Sequence, residues 1–214
     1  MKMSNILIVY FSRAGENYFG GEIRPVSIGN TKICAELLKE SLDADAFEIE
    51  MKAPYSDNYR ECVAQAREDL QRNHLPELKT MPESIADYDV VILGYPNYCS
   101  TIPMPVATFL DAYDFSGKKI LPFCTNEGSG MGVSEADIKK YAPGADVEEG
   151  LQWKQSPRVE KASGRLGKEI TWLEVSYERS NKSKRDGYAE WKAGRQADPV
   201  CDSTGIQQYS SAVI

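Results

Sequence analysis

Apolar residues fall in two rhythms along the first two-thirds of the chain. Short unbroken runs alternate with stretches in which they recur every three or four positions. The runs are Asn5–Phe11, Asp89–Gly94 and Lys119–Cys124. Unbroken β-branched and aromatic runs of this length predict strands buried on both faces, as in a parallel sheet. Pro122 is awkward in a central strand because it cannot donate to a ladder. Ala46–Met51 alternates like a sheet-edge strand, and Asp146–Trp153 reads as a last strand. Helical spacing predicts helices over Thr31–Leu42, capped by Asn30 or Thr31, and over Ser56–Asn73, starting near Ser56 or Asp57. It predicts three more over Pro105–Tyr113, Ser134–Tyr141 and Arg158–Leu173. The third of these five carries proline in its first turn. The fourth opens on Ser134-Glu135-Ala136-Asp137, the pattern of a capping box.

Strands alternating with helices force parallel neighbours and right-handed crossovers. The fold class is therefore α/β, a doubly wound five-stranded parallel sheet with helices on both faces. Ligands of such sheets sit beyond the carboxyl ends of the strands. Three loops meet that condition: Ser12–Asn30, Tyr95–Met104 and Thr125–Gly132.

Residues 1–173 make one domain. From Glu174 the periodicity stops, and residues 174–214 read as a C-terminal extension, with disorder as one reading of their polar composition. The chain has 214 residues and a net charge of -7, and the acidity lies in the first two-thirds. That charge argues against a nucleic-acid partner. No run is apolar enough to span a bilayer, and no export signal opens the sequence. Five unpaired-looking cysteines then suit a reducing cytoplasm. With His74 as the single histidine, zinc-type and histidine-based catalytic clusters have little to build on.

The first loop ends in Gly29-Asn30-Thr31 at a helix start, where unpaired N–H groups and the helix dipole favour a phosphate. Ser12, Asn30 and Thr31 add neutral donors. The alternative is an ordinary strand–helix turn. The second loop holds Pro96, Asn97 and Tyr98 between prolines, either a stiff platform for a planar ligand or a cover for the core. The third, Thr125-Asn126-Glu127-Gly128-Ser129-Gly130, lets backbone N–H groups approach a ligand, or is a flexible connector. A phosphate cradle, an aromatic platform and a donor-rich glycine loop at one sheet edge suit a flat phosphorylated heterocycle, and flavin mononucleotide (FMN) fits best.

From about Ile6 to Leu173 the chain resembles the flavodoxin family, in particular members with a long first loop and with Gly-Tyr-Pro-Asn and Glu-Gly-Ser-Gly segments after the third and fourth strands. The resemblance implies a flavodoxin-like strand order 2-1-3-4-5 and FMN as cofactor. In the family's phosphate motif, Thr/Ser-x-Thr-Gly-x-Thr, Ser12 takes the first position and Gly29, Asn30 and Thr31 the last three. Ala14–Ile28 is then an insertion. A second register places Ala14, Gly15 and Asn17 in the motif. The resemblance also implies that Tyr98 flanks the isoalloxazine ring and that Asn126–Gly130 contact its pyrimidine side. Cys99 stands where relatives often carry a bulky aromatic. Arg13 either pairs with the phosphate or forms a surface ion pair, and Glu127 either tunes the flavin or faces water.

The cofactor-binding candidates are thus Ser12, Arg13, Asn17, Gly29, Asn30, Thr31, Pro96, Asn97, Tyr98, Thr125, Asn126, Glu127, Gly128 and Gly130, with no catalytic side chain and no metal. The leading functional expectation is an electron carrier, monomer or homodimer, serving a redox partner protein or a small-molecule acceptor. The rivals are an FMN-dependent NAD(P)H oxidoreductase of the quinone, azo or nitro reductase type, and a non-catalytic module that has lost the flavin.

Overall fold

The computed structural model describes residues 5–154. The helix expected at Arg158–Leu173 and the C-terminal extension lie outside the described residues. The chain runs β1 (Ile6–Phe11), β2 (Gly15–Phe19), β3 (Glu22–Val26), α1 (Asn30–Leu42), β4 (Asp45–Ile49), α2 (Tyr59–Arg72), β5 (Val90–Pro96), α3 (Met104–Asp111), β6 (Lys119–Asn126), α4 (Ser134–Tyr141), β7 (Asp146–Val147) and β8 (Leu151–Lys154). The main sheet is parallel, in the order β4-β1-β5-β6-β7, with β8 also paired to β6. Counting the five sequence-predicted strands, this is the order 2-1-3-4-5.

β1 shows why an unbroken apolar run is needed at the centre. Leu7, Val9 and Phe11 join the core on one face with Cys62, Phe109 and Ile138 from α2, α3 and α4. Ile6, Ile8 and Tyr10 join the core on the other face with Cys34, Ala35 and Leu38 of α1. Each large aliphatic side chain buried this way contributes about 1.5–3 kcal/mol. β4, the alternating run, is the sheet edge.

Three details depart from the sequence reading. The expected last strand is broken. Its first part pairs Ile120 with Val147 and its second pairs Phe123 with Leu151, so β6 advances three residues while its partner advances four. This one-residue bulge lies opposite Pro122. The carbonyl of Ile120 accepts from Glu148 N–H, so even-numbered β6 residues face this side. Pro122 therefore turns its missing N–H toward the break, which reconciles a proline with a central strand.

The capping box at Ser134 does not form. The N-cap position is Val133. Ser134 Oγ instead donates to Met131 O and accepts from Tyr95 O–H, while Asp137 accepts from Thr101 Oγ1. Long-range partners have taken both members of the local motif. α2 likewise starts later than expected, at Asn58, whose Oδ1 accepts from the N–H groups of Arg60 and Glu61.

The third departure is Ala14–Ile28, expected only as a long loop. It contains the antiparallel hairpin β2–β3, in a two-stranded sheet of its own. Gly20 and Gly21 form its turn with φ of 55° and 98°. A glycine pair between two short strands supplies the positive φ that the tightest hairpin turns require.

Gly94 in β5 carries the closest packing of the sheet. A Cβ there would lie 2.2 Å from the Phe123 ring. Gly94→Ala should therefore destabilise the fold by about 1–3 kcal/mol, read as a lower urea midpoint. An unchanged midpoint would show that Phe123 can move aside.

Candidate functional site

The carboxyl ends of β1, β5 and β6 open onto a small cleft. Ser12, Arg13, Asn17, Phe19, Val26, Asn30, Thr31, Pro96 and Thr125 line it. Seven sequence candidates thus converge there, while Phe19 and Val26 come from the hairpin.

The cleft floor is the start of α1. The N-cap position is Gly29, with no capping side chain of its own. Neither Asn30 nor Thr31 caps the helix, contrary to expectation. The cap comes from the residue just after β1: Ser12 Oγ accepts from Lys32 N–H at 3.1 Å. Gly29 makes this approach feasible, since a Cβ there would meet Ser12 Oγ at 2.3 Å and Arg13 O at 2.5 Å. The N–H groups of Asn30 and Thr31 belong to the first turn, where helices lack internal acceptors.

Two hydroxyl protons are available beside them. Ser12 uses its oxygen as acceptor and keeps its O–H to donate. Thr31 Oγ1 and Thr125 Oγ1 lie 2.8 Å apart, sharing one hydrogen bond and leaving one proton over. Neutral donors at a helix N-terminus form an anion site.

Arg13 adds no free cation to this floor. Its guanidinium donates to the carbonyls of Ser56, Asp57 and Glu16. It clips the first loop to the chain before α2. Glu16 Oε2 completes the clip by accepting from Asn58 Nδ2 and Tyr59 N–H. Tyr18 stacks on Tyr59 at 6.2 Å. Asn17 Nδ2 donates to the carbonyls of Arg13 and Gly15. Gly15 and Asn17 lie in β2, so Gly29-Asn30-Thr31 is the segment at the helix start.

The second loop is organised differently from the expectation. Tyr98 is 2% exposed. Its ring meets Phe11 edge-on at 6.0 Å and Tyr55 at 6.2 Å, and its hydroxyl lies 3.7 Å from Cys62 Sγ. Burial pushes its phenol well above the ordinary range. A ring packed in this way is a core residue in this structure, where the sequence reading expected it to flank a flavin. Pro96 is the part of this segment that lines the cleft. Cys99 and Ser100 both take positive φ, 52° and 67°, in a tight turn closed by two hydrogen bonds between Tyr98 and Thr101.

Asn97 and Asn126, both buried, build the loops. Asn97 Nδ2 donates to Gly130 O and its Oδ1 accepts from Ser100 N–H. Asn126 Oδ1 accepts from the N–H groups of Gly128 and Gly130. Those two glycine donors are therefore spent within the loop. Glu127 reaches outward, and its Oε2 accepts from Gly20 N–H at the hairpin tip at 2.8 Å. Burial outweighs that hydrogen bond and nearby Arg24, raising its carboxyl above the usual range. Burial also pushes the Cys124 thiol up to about 12, so it stays protonated at neutral pH.

A family model for flavodoxin matches residues 24–164. The chain belongs to the flavodoxin family. Among solved structures, a candidate flavoprotein of Bacteroides eggerthii is 28% identical with a TM-score of 0.60, over 80% of this chain and 97% of that one. A second, from Bacteroides uniformis, is 22% identical with a TM-score of 0.62, over 81% and 99%. A flavoprotein of Lactobacillus acidophilus, solved in complex with FMN, shares the fold at 19% identity and a TM-score of 0.55, over 70% and 93%. No curated protein matches the chain. The flavodoxin cradle here fits a phosphate that needs neutral donors and a backbone unobstructed by side chains.

Gly29→Ala should cost about 1–3 kcal/mol of stability and open the cradle. Urea titration together with FMN titration checks both effects. Full retention of FMN affinity would argue that Gly29 is not part of the cradle.

Proposed function

We propose that this flavodoxin-family protein binds FMN in the cleft and passes electrons through it to or from a redox partner protein or a small-molecule acceptor. The observation that carries the reading is the floor of the cleft, where Ser12, Thr31 and the first turn of α1 gather neutral donors around a glycine too crowded for any side chain. Ser12, Asn30, Thr31 and Thr125 would hold the phosphate, with Pro96 and the third loop nearer the ring. FMN supplies the redox chemistry when bound. The chain supplies position and electrostatics. The cleft's hydroxyls and amides are not acids or bases near neutrality, and the Arg13 guanidinium is committed to carbonyls. Net charge of -7 disfavours added negative charge on a bound ligand, which lowers its potential, and would steer a basic partner. No described helix is long and apolar enough to cross a membrane.

A second reading, an FMN-dependent NAD(P)H oxidoreductase, draws support from the hairpin. Phe19 and Val26 wall the cleft and could shape a space for a hydride donor.

A visible spectrum of the purified protein with added FMN tests both. The expected result is a bound, yellow flavin that a separate reductase reduces. Steady oxidation of NADPH with a quinone, without any reductase, would select the second reading. A protein that takes up no FMN would refute both. Thr31→Val should weaken FMN roughly tenfold, the equivalent of one charge-assisted hydrogen bond, and riboflavin much less. Equal losses for the two ligands would displace the phosphate from this cradle.

A further inference from the structure

The hairpin is held very unequally at its two ends. Its root is locked by the Arg13 clip, the Glu16 carboxylate, the Tyr18–Tyr59 stack and the bond from Glu16 N–H to Asp57 O. Its tip, Gly20-Gly21, meets the third loop at Glu127. Phe19, next to that tip, lines the cleft. The hairpin therefore bridges from the first loop across to the third.

The contact at the tip is imperfect. Glu127 Oε2 accepts from Gly20 N–H, whereas Glu127 Oε1 is buried with no hydrogen-bond partner. A buried carboxylate oxygen without a donor costs free energy that an open, hydrated state recovers. Closing the tip thus gains one charge-assisted bond and strands one oxygen. Two contributions of opposite sign therefore act on the closed tip.

We propose that the β2–β3 hairpin is a strap across the cofactor cleft and that Glu127 is its latch, a positioning residue that acts through Gly20 to set how long a bound flavin is held. The inference rests on the FMN reading of the cleft. It goes beyond that reading by giving the inserted hairpin a task and by separating holding the cofactor from binding its phosphate.

The latch has a sign with respect to pH. Burial is the largest influence on the Glu127 carboxyl and raises it, while the Gly20 hydrogen bond and Arg24 on β3 pull it down. Arg24, whose guanidinium sits 5.4 Å from the Phe19 ring centre, is the charged group facing Glu127 from the hairpin. A carboxyl raised by closure binds its proton more tightly when closed. The closed strap is thus favoured at and below the ordinary carboxyl range, and this extra favour is lost as pH rises through the raised value.

FMN release from the loaded protein, followed by flavin fluorescence after dilution, tests this from the ordinary carboxyl range, about pH 4, up to about pH 8. The FMN phosphate titrates near pH 6, so each profile is compared with that of Glu127→Gln. Gln keeps an oxygen for Gly20 N–H and carries no charge. Glu127→Ala removes the latch. The expected results are release accelerated roughly tenfold in Glu127→Ala, slowed release in Glu127→Gln, and a steeper rise with pH in the wild type than in either variant. Hydrogen exchange at Gly20 N–H in the flavin-free protein supplies a reading independent of the cofactor. Its protection should fall in Glu127→Ala and survive in Glu127→Gln. Indistinguishable release profiles for all three proteins, or equal Gly20 protection in all three, would overturn the strap. Failure of the wild type to bind FMN at all would instead remove the reading beneath it, and the inference with it. Loss of FMN affinity on Thr31→Val with unchanged Gly20 protection would keep cradle and strap separate, as proposed.

Discussion

The close approach of β1 to the start of α1 organises the molecule. Ser12, one residue past the end of the strand, caps a helix that begins far along the chain, and it does so because Gly29 presents no side chain in between. That contact aligns the end of the central strand with unpaired helical N–H groups. The parallel sheet then brings Pro96 and Thr125 to the same edge through the β1–β5 and β5–β6 ladders. The cradle is a by-product of strand order: once β1 lies between β4 and β5, its exit loop must face the exits of β5 and β6.

Much of this was legible in the residues. Unbroken apolar runs fixed β1, β5 and β6 because both faces of a central parallel strand must be buried, and β4 showed itself as an edge by alternating. What stayed hidden was settled by partners distant in sequence. Ser134 and Asp137 look like a capping box, yet Tyr95 and Thr101 claim them. Tyr98 looks like a ligand platform, yet Phe11, Tyr55 and Cys62 enclose it. Arg13 looks like a phosphate ligand, yet three carbonyls satisfy it. The hairpin did leave a signal. Phe19-Gly20-Gly21-Glu22 is a two-residue turn flanked by short mixed segments, masked by Pro25 in the second of them. The structure tolerates Pro25 because β3 is an outer strand, paired on one side to β2.

Charge and chemistry divide cleanly between parts of the protein. Of the four described thiols, Cys34, Cys62 and Cys124 are buried and Cys99 is half-buried, and burial holds Cys62 and Cys124 protonated. They serve as small apolar fillers. The cleft lining holds no carboxylate, and its one cation, Arg13, is committed to carbonyls. On the proposed reading, such a floor would attract a phosphate through dipoles aligned in advance, without a counter-ion that would also attract unrelated acids.

The inserted segment leaves and re-enters the domain at almost one point, since Gly29 abuts the backbone of Arg13. A stretch whose two ends already touch can be lengthened, shortened or exchanged with little penalty in loop closure for the remainder. The Ala14–Ile28 stretch is in that sense a cassette. Relatives could diverge there in what they admit to the cleft while keeping an identical frame beneath, and an engineer could graft a foreign ribbon between Arg13 and Gly29 without rebuilding the sheet.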